Sequence, residues 1–206
     1  MRGQTIDDFL TDLAARVPAP GGGATAALHA AQAAALVGMV ARYSDGARFA
    51  EHAEEIAGIV AGADRLRVEA LRLAEADATA FTAVADAYSL PRATDDEKAL
   101  RRNMIAVALK GACVPPAAVV EVAADTVVLA ERLIPIGNRS VITDVAAAAE
   151  AARAAATTAR VNIEVNLGGI TDADNKAVLL ASAHSVDLIV ERAEKVTAAV
   201  RAELAA

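Results

Sequence analysis

Apolar residues recur along this chain at three- and four-residue intervals, and no sustained run alternates apolar and polar at every second position. Ile6, Phe9, Leu10 and Leu13 form the first such stripe, opened by Thr5 with Asp8 three residues on, the pair of a capping box. A short helix is therefore predicted to end before Pro18. Ala24 to about Tyr43 is the most apolar segment, with small residues on every face, so this helix is predicted to be buried by the rest of the fold or by a second subunit. Ser44-Asp45-Gly46 breaks the pattern. A long helix follows from about Arg48 toward Leu90, carrying Ile56, Ile59, Val60, Leu66, Leu73, Phe81 and Val84, a rod of roughly 60 Å. Pro91 stops it. Thr94 and Glu97 make a second capping box for a fourth helix, which Pro115-Pro116 ends or kinks, and a fifth covers about Ala117 to Leu133. After the irregular stretch Pro135 to Asp144, an Ala-rich helix runs through about Val165. Asn166 to Asp172 then turns the chain into a last helix, about Ala173 to Leu204. The pattern predicts an all-α fold, a single-domain helical bundle of six to seven helices over residues 1–206, one of them very long.

Composition sharpens this picture. Hydrophobic residues make up 55% of the chain and aromatics only 2%, so the apolar mass is Ala, Val and Leu, which suits helices packed closely through small side chains. The formal charge is −7, with no basic run and almost no aromatics to stack on bases, which argues against a nucleic-acid partner. Asp7 and Asp8 stand where a signal peptide needs an apolar stretch, and no segment reaches roughly 18 uninterrupted apolar residues, so no membrane association is expected. A lone Cys113 excludes an internal disulfide and a thiolate metal cluster, and points to a reduced, cytoplasmic protein. His29, His52 and His184 lack metal-ligand spacing, so no metal is expected, and His29 reads as a packed core residue.

The stretch that draws attention is Pro18-Ala19-Pro20-Gly21-Gly22-Gly23-Ala24. Prolines end the preceding helix, glycines admit backbone angles closed to other residues, and a helix starts at once. Its first N–H groups then face a loop without side chains, a place for a carboxylate, a phosphate or a polarised oxygen. The same glycines would also let two helices cross closely. Asp144 is an acid behind a second glycine-containing loop and at the head of an apolar helix, where it serves either as a helix cap or in chemistry. Asp77 shares a helical face with Leu73 and Phe81, so partial burial and a polar partner are expected. Asn162 and Asn166, four residues apart, present two amides on one face, for a ligand or for an interhelical hydrogen bond.

Taken together, these segments resemble the cyclodeaminase/cyclohydrolase family, comprising the C-terminal part of formiminotransferase-cyclodeaminase and its stand-alone relatives. Pro18 to Ala27 is similar to the family's P-x-P-G-G-G-x-x-A-A signature, and Asp77 to Phe81 to its D-x-x-A-F. Leu90-Pro91-Arg92 with Glu97-Lys98, Val114-Pro115, Gly137-Asn138 through Asp144, and Asn162 to Leu167 match further segments in the family's order. Thr143 and Arg92 depart from the usual Ser and Lys. The resemblance implies an all-helical homodimer acting without a cofactor on a tetrahydrofolate derivative, which is expected to be polyglutamylated. Two reactions are implied: interconversion of 5,10-methenyl- and 10-formyl-tetrahydrofolate by water, or closure of 5-formimino-tetrahydrofolate with loss of ammonia. The absence of room for a formiminotransferase domain favours the first, and a non-catalytic helical scaffold stands as the contrasting class. By the same resemblance Asp144 is assigned the acid–base role, and Pro20, Gly21, Gly22, Gly23, Asp77, Asn138, Asn162 and Asn166 the holding of substrate. Arg48, Lys110 and Arg139 are the cations nearest these motifs in sequence for an anionic tail.

Overall fold

A computed structural model describes residues 3–170 and 172–205; Met1, Arg2, Thr171 and Ala206 lie outside the described residues, and with them the first two positions of the N-terminal stretch and one position of the 166–172 turn. Among the described residues there are seven α-helices and no strand: α1 (Ile6–Ala14), α2 (Gly22–Arg42), α3 (Ala53–Ser89), α4 (Asp95–Ala112), α5 (Val114–Leu133), α6 (Thr143–Leu167) and α7 (Ala173–Leu204). The all-α bundle with one very long helix is as the periodicity predicts.

Both capping boxes form. Thr5 Oγ1 accepts from the Asp8 N–H at 3.1 Å while the Asp8 carboxylate accepts from the Thr5 N–H, and Thr94 with Glu97 does the same. Other boundaries move, for physical reasons. Helix α2 begins at Gly22, so two of the three glycines are helical and not loop. A 3-10 turn, Ala47–His52, takes the first residues assigned to the long helix, with Gly46 supplying a left-handed backbone angle, φ 82°, at the break. Pro115 and Pro116 do not end α4. They sit in the first turn of α5, where no amide hydrogen is needed, and the helices change over at Cys113.

Helix α2 is the axis of the fold, packed against α3, α5 and α6. Ala24, Ala26, Ala27, Ala30 and Ala33 are fully buried in it, and α6 answers with Ala148, Ala149, Ala152, Ala155, Ala156 and Ala159. Methyl-sized side chains let the helix backbones approach closely, so the core gains dispersion contact from many small groups and loses little side-chain entropy. Larger residues, among them Ile59, Leu73, Leu133 and Ile163, fill the gaps. Helix α2 and the run Asp95–Leu133 are long and apolar enough, by length and composition, to cross a membrane. In α2 that apolarity serves the core, where most of its residues are buried.

Two parts stand apart from this body. Helix α1 buries no residue, and Ile6 is 81% exposed. Helix α3 contributes a run of buried residues only as far as Ala74; beyond it Ala87 alone is buried, and this second half pairs with α4 as a two-helix arm.

Candidate functional site

A cleft of about 300 Å³ opens where the N-terminus of α2 meets the middle of α3, the α4–α5 junction and the C-terminal turns of α6. Its apolar wall is Pro18, Ala19, Phe81, Val84, Ala112 and Val165, and its polar groups are Asp77, Asn162, Asn166 and the backbone of Gly21 to Gly23. Mostly apolar walls with a few convergent polar groups are the usual make-up of a small-molecule site.

Asp77 is the carboxylate of this cleft. The Ala24 N–H in the first turn of α2 donates to it, and burial raises its pKa above the ordinary carboxylate value while that hydrogen bond works the other way. The positive end of α2 and an unmatched N–H thus face an acid that water only half solvates. Gly23 makes this contact possible. A β-carbon at Gly23 would lie 1.9 Å from Asp77 Oδ1, inside any allowed contact, so the glycine is required by space. The left-handed angles expected of the three glycines are not used: Gly21 has φ −144° and ψ −155°, with nothing near its missing side chain. As the uncapped residue before α2 it leaves the Gly22 and Gly23 N–H groups without an intrahelical acceptor. Gly22 faces Asn162, whose amide atoms lie 3.8 Å from where its β-carbon would be.

Asn162 and Asn166 each use one amide hydrogen on their own helix, to Thr158 O at 2.9 Å and Asn162 O at 3.0 Å. That leaves each an oxygen and a hydrogen for the cleft, and neither makes the interhelical bond that was the other reading.

The cleft does not contain every residue expected there. Pro20 is half-buried between Ala19 and Gly21 and does not line it. Asn138 lies at the other end of the bundle, where its Nδ2 donates to Tyr43 O at 2.7 Å and its Oδ1 accepts from the Ser140 N–H at 3.0 Å, so its amide serves the backbone. Asp144 is in the first turn of α6, past the cap position, and 18 residues of helix separate it from Asn162, about 27 Å. Within one chain, then, Asp144 stands remote from this cleft, because two loops that each precede a helix in sequence need not meet in space. Arg139 pairs with Glu203, and Arg48 lies over Phe49, both at that far end. Lys110 is held by Asp172 at 3.1 Å. His29 is half-buried on α2, and its buried Nδ1 has no hydrogen-bond partner.

The architecture matches known proteins over nearly its whole length. The formiminotransferase-cyclodeaminase family pattern fits residues 5–185. The chain belongs to that family. It is 38% identical over 170 residues to a methenyltetrahydrofolate cyclohydrolase of Methylorubrum extorquens, covering 82% of each chain. It is 30% identical over 169 residues to the mouse formimidoyltransferase-cyclodeaminase, of which it spans 31%. A crystal structure of a formiminotetrahydrofolate cyclodeaminase from Thermotoga maritima superposes with a TM-score of 0.86 at 26% identity, covering 98% of both chains. The cleft is thus built by family segments far apart in sequence: the glycine motif, the D-x-x-A-F stretch and the paired asparagines.

Proposed function

We propose that this chain interconverts 5,10-methenyl- and 10-formyl-tetrahydrofolate by water, with Asp77 as the acid–base group. The observation that carries this is the half-buried Asp77 carboxylate held on the α2 N-terminus and facing two partly free amides. In the hydrolytic direction water adds to the amidinium carbon between N5 and N10, forming a carbon–oxygen bond as its proton passes to Asp77. The tetrahedral carbon then releases N5, which takes that proton back, while the hydroxyl oxygen gives its own proton to solvent as the carbon–oxygen double bond forms, leaving the formyl group on N10. The raised pKa brings the carboxyl toward working pH, where proton transfer in both directions is efficient, a contribution of about 10²–10⁴ in rate. The carboxylate also stabilises the cation electrostatically, while Asn162, Asn166 and the Gly22 and Gly23 N–H groups orient the ring and the developing oxygen. Folate is the substrate, and no cofactor is invoked.

The Thermotoga relative, similar over 98% of its length, favours a second reading, closure of 5-formimino-tetrahydrofolate with release of ammonia. The same carboxylate would protonate the departing nitrogen. The half-exposed Leu36 and Met39 on α2, the exposed Tyr43 and the uncovered apolar face of α1 support a homodimer. The buried, unpaired Cys113 thiol suits a reducing cytoplasm. The substrate is taken to be polyglutamylated.

An absorbance time course with 5,10-methenyl-tetrahydrofolate, against its uncatalysed hydrolysis, tests the proposal. Accelerated loss of the methenyl chromophore is expected. Its appearance together with ammonia from the formimino compound would establish the second reading, and neither signal would leave the scaffold class.

A further inference from the structure

The peptide that joins Gly21 to Gly22 carries one of the free donors of the cleft, and its carbonyl is held twice. Gly21 O accepts from the Thr25 N–H at 3.0 Å, and from the Thr25 hydroxyl, Oγ1, also at 3.0 Å. A peptide is planar and trans, so its C=O and N–H point in opposite directions. With Gly21 O fixed along α2, the Gly22 N–H faces out of the helix start, where Gly22 lines the cleft opposite Asn162. Two donors on one carbonyl also polarise the amide they share, which strengthens that N–H as a donor.

This peptide needs holding more than most. With a glycine on either side, no β-carbon opposes its rotation by half a turn, a movement that carries Gly22 to positive φ. A side-chain oxygen at the cap commonly secures the start of a helix, and Gly21 has none to offer. The rotated peptide would turn Gly21 O toward the cleft and set an acceptor where the substrate needs a donor. The Thr25 hydroxyl adds a second bond that must break before this can happen. Other threonines bond back in the same way, Thr79 to Glu75 O, Thr82 to Ala78 O and Thr126 to Val122 O, but in helix interiors, where the neighbouring turns already fix the peptide. At Thr25 the same bond falls on the peptide that opens the cleft.

We infer that Thr25 is a positioning residue, its hydroxyl keeping the Gly21–Gly22 peptide in the orientation that presents the Gly22 N–H to substrate. The inference rests on the reading of the cleft as the folate site. Thr25 itself does not line the cleft, so it acts through the peptide and not by contact.

The test sets Thr25→Val, which keeps the shape and removes the hydroxyl, against Thr25→Ser, which keeps the hydroxyl. Thr126→Val removes an equivalent bond about 18 Å along α5 from Val114 and serves as the control. Labelling only the twelve glycines with heavy nitrogen gives a spectrum in which the Gly22 amide is the peak missing from Gly22→Ala. Thr25→Val should broaden or split that peak and leave those of Gly46 and Gly58, beyond the other end of α2, in place. It should also lower kcat/KM for 5,10-methenyl-tetrahydrofolate about three- to tenfold, the worth of one net hydrogen bond. Thr25→Ser should keep both close to wild type, and Thr126→Val should change neither. An unchanged Gly22 peak in Thr25→Val, an unchanged kcat/KM, or a serine variant that fares no better than valine overturns the inference. Should the valine variant fail to fold, Thr25→Ala read against Thr25→Ser makes the same comparison. If wild type turns over no folate, the proposed activity fails, while the Gly22 peak still decides whether Thr25 holds the peptide.

Discussion

Helix α6 carries polar candidates at both ends, and those at its finish line the cleft. At its start, Asp144 lies in the first turn behind a loop pinned by Asn138, whose amide is occupied by Tyr43 O and the Ser140 N–H. At its finish, Asn162 and Asn166 reach into the cleft with donors and acceptors left over. The two ends look alike in sequence, each a polar residue beside a glycine-containing loop. The difference is demand from the backbone. Where a turn has orphan groups to satisfy, the polar side chain is consumed by them. Where a regular helix satisfies its own backbone, a polar side chain pointing inward is available to a ligand.

The sharpest way to break this comparison is Asp77→Asn. Turnover should fall by about 10²–10⁴, since the amide can still accept from the Ala24 N–H but cannot exchange a proton with substrate. Stability should respond in the opposite sense. Burial holds the Asp77 pKa above its ordinary 3.8, so the folded state disfavours the ionised form. Asp77's contribution is therefore complete below the ordinary value and is lost as pH rises through the elevated one. Urea midpoints measured across this range should show wild type losing ground to the variant as pH rises. A variant that keeps full turnover would remove Asp77 from the chemistry and return attention to the other end of α6.

That outcome bears on how much the sequence makes legible. The helices and both capping boxes follow from local spacing, and so does the inward position of Asp77 beside Leu73 and Phe81. What local spacing does not carry is which loops meet. The glycine motif and the Asn138–Asp144 loop both precede helices, yet the 25 residues of α6 place Asp144 at the end remote from the glycines. Nor does it separate the two uses of glycine. The motif suggests unusual backbone angles, whereas α2 starts inside it and the need at Gly23 is room for a carboxylate. One signal was available: an acid four residues from a buried Leu on one side and a Phe on the other has to find a partner, and a helix start without side chains is the partner that fits.

Gly23→Ala is the next largest effect. The added methyl would push the Asp77 carboxylate off the Ala24 N–H, and displacement of a catalytic group by about an ångström costs on the order of 10² in rate. Gly21→Ala is the matched control, because nothing lies within 4 Å of the added atom and its backbone angles suit any residue. Steady-state kinetics of the pair should separate the two glycines by that factor. Equal behaviour would mean that the motif serves the backbone after all.

The smallest effects belong to the far end of α6, and there the sign of the comparison reverses. Asn138→Ala removes two hydrogen bonds to the backbone and should cost about 1–2 kcal/mol of stability by denaturant unfolding, with kcat unchanged. Asp144→Asn should cost less, about 0.3–1 kcal/mol, the worth of an acid in the first turn of a helix, and should also leave kcat unchanged. Loss of turnover in Asp144→Asn, with oligomer size and folding intact, would contradict a site contained in one chain. About 27 Å along α6 cannot be crossed by one folate acting on both residues, so the Asp144 would then have to come from a second copy. In that case the two ends of α6 would meet across the subunit interface, and the contrast between them would mark the halves of one composite site.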